Sequence, residues 1–234
     1  MRPSVPPIGT VVTVTSYRDL ASAIEPTGMV ARGGFAVGPD DPVPVLADGR
    51  RPATVVIVGN VGGTMWPIFR AEERDEPDPL DAWTRRRLRP IAERFGAEFV
   101  HPSDEPFQPF QRWAQRASDV WQSPIGLLVH PTDGLWHALR GAFLFADPVE
   151  GLPPTGVATS PCVGCDAPCL TTCPVDAFTA DGYDHVSCRE YVRSGAEPVC
   201  LETGCAARRA CPVDADGFYG PDQMRFHMRA FVGW

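Results

Sequence analysis

CVGCDAPCLTTCPVDAF, residues 162–178, sets Cys162, Cys165, Cys169 and Cys173 within twelve positions and ends the series on Cys-Pro. A looser series, Cys188, Cys200, Cys205 and Cys211, ends the same way, so CPVDA is written at 173–177 and again at 211–215. Closely spaced thiolates on a turn can wrap three corners of a cubane iron–sulfur cluster. The fourth corner comes from further along the chain, as in two-cluster ferredoxins, where the cysteine before proline ligates the other cluster. Proline lacks an N–H and fixes φ, which turns the chain away after the ligand. This spacing predicts one [4Fe-4S] cluster on Cys162, Cys165, Cys169 and Cys211, and a second on Cys188, Cys200, Cys205 and Cys173. Two structural four-cysteine zinc sites are the competing reading, since zinc also favours C-x2-C. The second series has irregular spacing and leaves its ligand set less sharply defined.

Outside this segment the chain has no cysteine. The 149–161 stretch just ahead of it, VEGLPPTGVATSP, reads as a linker. The expected organisation is a core over 1–157, a cysteine module over 158–217 and a C-terminal helix over 218–234 that packs back on the core. In the core, β-branched runs alternate with helical patterns. Strands are predicted over 11–14, 54–59, 97–100, 125–129 and 142–146. Helices are predicted over about 81–95, 106–121 and from Asp222 onward, which makes the fold class α+β.

The 234 residues are 44% hydrophobic and carry a net charge of -8. All 21 basic residues are arginine, and the absence of lysine excludes Schiff-base chemistry and a P-loop. The acidic balance argues against a broad nucleic-acid surface. The one dense basic run, RRRLR at 85–89, reads as the solvated face of a helix. No run approaches the ~18 apolar residues of a membrane span, and the N-terminus lacks a charged-then-apolar signal. A cytoplasmic protein with no membrane or nucleic-acid partner is expected, and in that compartment cysteines serve metals more often than disulfides.

Two further stretches precede the cysteines: DEPFQPFQRWAQRASDVW at 104–121 and SPIGLLVHPTDGLWHALRGAFLF at 123–145. Together with the paired-cluster module they resemble the epoxyqueuosine reductase family and the cobalamin-processing and reductive-dehalogenase proteins that share its core. Asp104, Ala117, Trp121, Gly134 and Trp136 stand at separations similar to the family's. The resemblance implies a nitroreductase-like core, a small bacterial-ferredoxin-like module, and two [4Fe-4S] clusters feeding electrons to a bound cobalamin. It also implies a catalytic proton donor at Asp104 and cofactor contacts at Trp121, Gly134 and Trp136, to which Arg140 is added as a candidate from its own chemistry. Its partners would be an external electron donor (ferredoxin, flavodoxin or a reductase) and a corrinoid or small-molecule substrate.

Departures from the family pattern are specific. The first series has three residues between its second and third cysteines where the family has two. Arg208 and Arg209 occupy the space of an expected ligand, and Cys200 substitutes for it. Ser123-Pro124-Ile125 replaces a Lys-His pair, which predicts a different substrate pocket. The chain ends soon after Cys211, so tRNA is not expected as substrate.

The residues alone keep other readings open. Asp104, before a Pro-led helix, is also an ordinary N-cap. Arg140 serves equally well for a cofactor phosphate or carboxamide and for an acid pair. His101, His130 and His137 read first as structural, although His101 and His130 each follow a predicted strand. The alternative to catalysis is a ferredoxin-like electron carrier or a corrinoid-handling protein.

Overall fold

A computed structural model describes residues 15–196, 199–213 and 217–233. Its core is a four-stranded antiparallel sheet built from β1 (Val30–Ala36), β2 (Thr54–Val61), β3 (Ala97–Val100) and β6 (His137–Phe145), in the order β1-β2-β6-β3. The TVVIVGNV run of β2 is buried until its last residue, as befits a strand covered on both faces. Alternation divides its side chains. Val56 and Val58 join Phe143 and Phe145 on one face, whereas Val55 and Ile57 join Ala142 and Leu144 on the other.

On the first face lie α1 (Tyr17–Ile24), α2 (Trp66–Glu72) and α3 (Pro79–Arg94), which contribute Leu20, Ile24, Phe69, Trp83 and Leu88. On the second lies α4 (Phe110–Ala117), with Phe110, Trp113 and Ala117 inward. Each such side chain contributes about 1.5–3 kcal/mol by leaving water. Antiparallel strands with helices packed on them make the protein α+β. Gly33 in β1 makes the second face possible, because a Cβ there would stand 1.9 Å from the Ala117 carbonyl oxygen.

Several expectations shift in register. The helix expected over 106–121 is only α4, and Trp121 instead enters a two-residue strand, β4 (Trp121–Gln122), paired with β5 (Leu128–Val129). Asp104 is therefore not the cap of α4, whose N-cap position is Pro109. The strand over 142–146 is the end of the longer β6, and β1 replaces a region where two glycines gave no strand signal. The expected strand over 11–14 lies outside the described residues. The RRRLR run is not simply solvated: Arg85 pairs with Asp104, Arg86 with Glu76 and Arg87 with Glu72.

After β6 the 149–161 segment is pinned to the core, with the amides of Gly156, Val157 and Ala158 donating to the Asp119 carboxylate. The cysteine segment is made of short pieces: α5 (Pro168–Thr171), a hairpin of β7 (Phe178–Thr179) and β8 (Gly182–Tyr183), α6 (His185–Ser194), α7 (Cys200–Thr203) and α8 (Ala206–Arg209). The last helix, α9 (Pro221–Val232), lies between this segment and the core. Its Phe226 meets Trp66 and Phe69, while Met228, Phe231 and Val232 pack around Cys188 and Cys200.

Candidate functional site: two cysteine pockets beside a basic cavity

The eight cysteines are free thiols gathered into two groups. Cys162, Cys165, Cys169 and Cys211 line one small apolar pocket together with Pro161, Pro168 and Pro212. Cys173, Cys188, Cys200 and Cys205 line the other, with Pro174, Val192 and Met228 around them. Each Cys-Pro corner therefore crosses over: Cys173 leaves the tight first series for the second pocket, and Cys211 returns to the first. Among the described residues, no three His, Cys, Asp or Glu side chains converge closely enough for a single metal ion.

Burial raises the thiol pKa values of Cys162, Cys169, Cys188 and Cys205, and neighbouring cysteines of the same group raise them further. Sulfurs that resist ionisation beside one another, two in each pocket, are donors that a cationic centre would compensate. Main-chain amides and two hydroxyls, Ser160 at Cys162 and Tyr183 at Cys188, supply hydrogen bonds to sulfur. Ala167 donates to Cys165 and Ala177 to Cys173, each at 3.4 Å, and Ala207 and Arg208 donate to Cys205.

Gly134 positions the first pocket against the core. Its φ is +54°, and a Cβ would stand 2.3 Å from the carbonyl oxygen of Val213, just after Cys211-Pro212. The turn that carries it is closed by reciprocal bonds between His130 and Gly134 and anchored by an Arg32–Asp133 ion pair. Trp121 packs half-buried in the cluster that includes Cys162, Cys173 and Cys211. Ser123 and Pro124 also line the first pocket. The departure from the family pattern at 123–125 thus falls beside the cysteines, not at the larger cavity.

That cavity, about 380 Å³, lies between β6, α8 and α9. Arg140, Arg208, Tyr219 and His227 line one part of it, and Leu127, Leu135 and Leu139 another. Arg140 is part-buried on this wall. Its Nε donates to Asn60 Oδ1 at 2.8 Å, and Asn60 Nδ2 in turn donates to the Tyr219 hydroxyl at 3.2 Å. Arg208 donates from Nε to the Leu135 carbonyl at 3.0 Å, and its guanidinium lies 4.4 Å from the Trp136 ring centre and 4.7 Å from that of Tyr219. Trp136 is itself fully buried and packs on Phe218 and Tyr219.

The cavity histidines are neutral. Burial, followed by the field of Arg140 and Arg208, lowers the pKa of His227 to about 3. Burial lowers that of His137 to about 4, with Arg32 adding to it. His137 Nε2 donates to the Leu128 carbonyl at 3.0 Å, which leaves Nδ1 with its lone pair and no partner.

Asp104 lies elsewhere. It does not line the cavity. It accepts from the Arg85 guanidinium at 2.8 Å and from the His101 amide at 2.8 Å. Burial works to raise its carboxyl pKa, but these two donors outweigh it and hold the group below the ordinary carboxylate range. Of the residues singled out in the sequence, the structure brings Arg140 to the cavity, Trp136 behind it, and Trp121 and Gly134 to the first cysteine pocket. Arg208, Tyr219, His227 and Asn60 were not singled out as site residues. They meet only through tertiary packing, and no local pattern marks them.

Fold and site together define an α+β protein in which two four-cysteine pockets stand beside a basic cavity. No family profile and no curated protein matches the chain. Among solved structures, the C. elegans B12-trafficking protein CblC is similar over 92% of this chain and 94% of its own, at 16% identity and a TM-score of 0.48. An epoxyqueuosine reductase with a tRNA-Tyr epoxyqueuosine-modified stem loop is similar over 87% of this chain and 66% of its own, at 11% identity and a TM-score of 0.48. The chain spans 52% of a selenomethionine-labelled epoxyqueuosine reductase, covering 74% of itself, at 13% identity and a TM-score of 0.44. Among the described residues no helix is long and apolar enough to cross a membrane.

Proposed function

We propose that this protein is an iron–sulfur oxidoreductase in which two [4Fe-4S] clusters serve a small molecule bound in the cavity between β6, α8 and α9. The observation that carries this reading is the division of eight cysteines into two groups of four. The cavity borders both groups: Leu135 lies on its wall and on that of the first pocket, and Arg208 follows Cys205 of the second by three residues.

Bound in the two pockets, cubane clusters would supply one-electron storage and transfer. The chain's own residues have definite tasks. Apolar linings keep water from the sulfurs, and amides of Ala167, Ala177, Ala207 and Arg208 hydrogen-bond to them, which raises a cluster's potential. In the cavity, the hydroxyl of Tyr219 accepts from Asn60, so its own proton is free to face a bound molecule. On this reading the cysteine segment is a ferredoxin-like module on a nitroreductase-like core, and an external electron donor supplies the clusters.

A corrinoid, which the family resemblance implies, is bulkier than the drug-sized ligands that a cavity at the small end of the 300–1,000 Å³ range encloses. The cavity alone would hold only part of it, and no step is routed through it. Asp104, paired with Arg85 and absent from the cavity wall, is given no step in this reading.

The test is reoxidation of dithionite-reduced protein by a panel of small acceptors, followed by cluster absorbance. Reoxidation that saturates with acceptor and is abolished by Ala138→Phe, with the cluster spectrum intact, supports the reading. A rate that stays linear in acceptor and ignores the substitution would leave a plain electron carrier. Stoichiometric retention of corrinoid after titration with hydroxocobalamin would replace the small-molecule ligand with the corrinoid.

A further inference from the structure

The cavity is polarised in a way that its place beside the clusters does not require. Two arginines, Arg140 and Arg208, face it from β6 and α8, and among the described residues no acidic side chain is on its wall. Among the described residues neither arginine forms an ion pair, although Arg32, Arg85, Arg86 and Arg87 do. The acid whose field reaches Arg140 is Asp81, and it is engaged elsewhere, accepting from Ser103 and lying 3.7 Å from His101.

Among the described residues Arg140 spends only Nε on the protein, and Arg208 spends Nε and Nη2 on one carbonyl. That leaves both terminal nitrogens of Arg140 and Nη1 of Arg208 for a ligand. Burial and the proximity of Arg208 pull the Arg140 pKa down. An arginine nevertheless keeps its proton in proteins, so the cavity holds two cations that no acid among the described residues pairs with. His137 also lines the cavity, with its unpartnered Nδ1 buried in the protein rather than open to the ligand space. Beyond the basic part, Leu127, Leu135 and Leu139 offer an apolar surface.

We infer that the cavity binds a small organic anion, a carboxylate or phosphate monoester on an apolar body, with the anionic head on Arg140 and Arg208. The arginine fork suits either head, and a buried charge-assisted pair is stronger than a neutral hydrogen bond. The neutral state of His227 and His137 adds no charge of its own, so the two guanidiniums set the preference.

This inference rests on the reading of the cavity as the ligand site. Its failure is separable from that of the redox reading, because binding is read by heat without reductant and the clusters by iron and sulfide. Calorimetry on anaerobically purified protein would compare benzoate, phenyl phosphate and the neutral isostere benzamide at fixed ionic strength. The expected result is that at least one anion binds about tenfold or more tightly than benzamide, the value of one charge-assisted bond; which anion wins identifies the head group. Arg140→Gln should weaken the anion by a similar factor and leave benzamide unchanged.

Equal affinity for anion and amide, no binding of any probe, or an Arg140→Gln variant that binds the anion as before would each overturn the inference. Should Arg140→Gln lose its iron, Arg140→Lys gives the second reading. It keeps the charge and loses the fork, so the anion should weaken several-fold with benzamide again unchanged, and an unaltered anion affinity would count against the assignment.

Discussion

Arg208 Nε donates to the main-chain carbonyl of Leu135 across 3.0 Å, joining the helix that follows Cys205 to the turn that precedes β6. Through this pair the second cysteine group, the cavity wall and the edge of the first group become one continuous structure. The amide of Arg208 faces the Cys205 sulfur while its guanidinium faces the cavity. A change at the sulfur and a change at a bound ligand therefore act on the same residue.

The crossing of the two Cys-Pro corners separates the effects of cysteines that are neighbours in sequence. Cys173→Ala should lower iron by about half, leaving one four-iron centre, and the surviving signal should come from the first pocket. Cys169→Ala should do the reverse. Distinct electron paramagnetic resonance spectra for the two variants would verify the crossing, whereas identical spectra would refute it.

Gly134→Ala should be more harmful than its size suggests. The new Cβ meets the Val213 carbonyl oxygen at 2.3 Å, and a positive φ adds strain of about 1 kcal/mol. The Val213 corner must move, carrying Cys211 with it. Iron content should fall toward one centre per chain while far-ultraviolet circular dichroism of the core stays unchanged.

The Arg32–Asp133 pair is nearly buried, with side-chain exposures of 9% and 16%. Asp133→Asn leaves the guanidinium uncompensated and should cost about 3–5 kcal/mol, or about 10 °C in melting temperature for a chain of this size. Replacing both partners, as Arg32→Met with Asp133→Leu, should cost less than the single change.

Acid sensitivity follows from the buried histidines. Burial holds the pKa of His101 and His137 at about 4 and that of His227 at about 3, below the ordinary 6.5. The unfolded chain therefore binds more protons than the folded one once pH drops below 6.5. Stability is complete above that value and is lost as pH falls toward 4, by about 1.4 kcal/mol per pH unit for each group. Melting temperatures between pH 7.5 and 5.5 should fall accordingly, and His227→Phe should make the slope shallower.

The sequence made the cysteine grouping legible because ligand spacing is a local property of the chain. Strand β3 and the centre of β2 were legible for a related reason: short β-branched runs leave no competing pattern. By contrast, β1 contains Gly33 and Gly34, and it is a strand only because β2 pairs with it and Ala117 packs over it. The cavity was hidden for the same kind of reason. Arg140, Arg208 and His227 come from three separate segments, and nothing within any one of them signals that they meet. Asp104 looked like a cap or an acid catalyst, but the ion pair with Arg85 from α3 decided its surroundings.

The most direct test of the account is the count of iron and acid-labile sulfide in anaerobically purified protein. Two cubane centres predict about eight of each per chain. Zinc in place of iron, or fewer than about four irons with no labile sulfide, would contradict it.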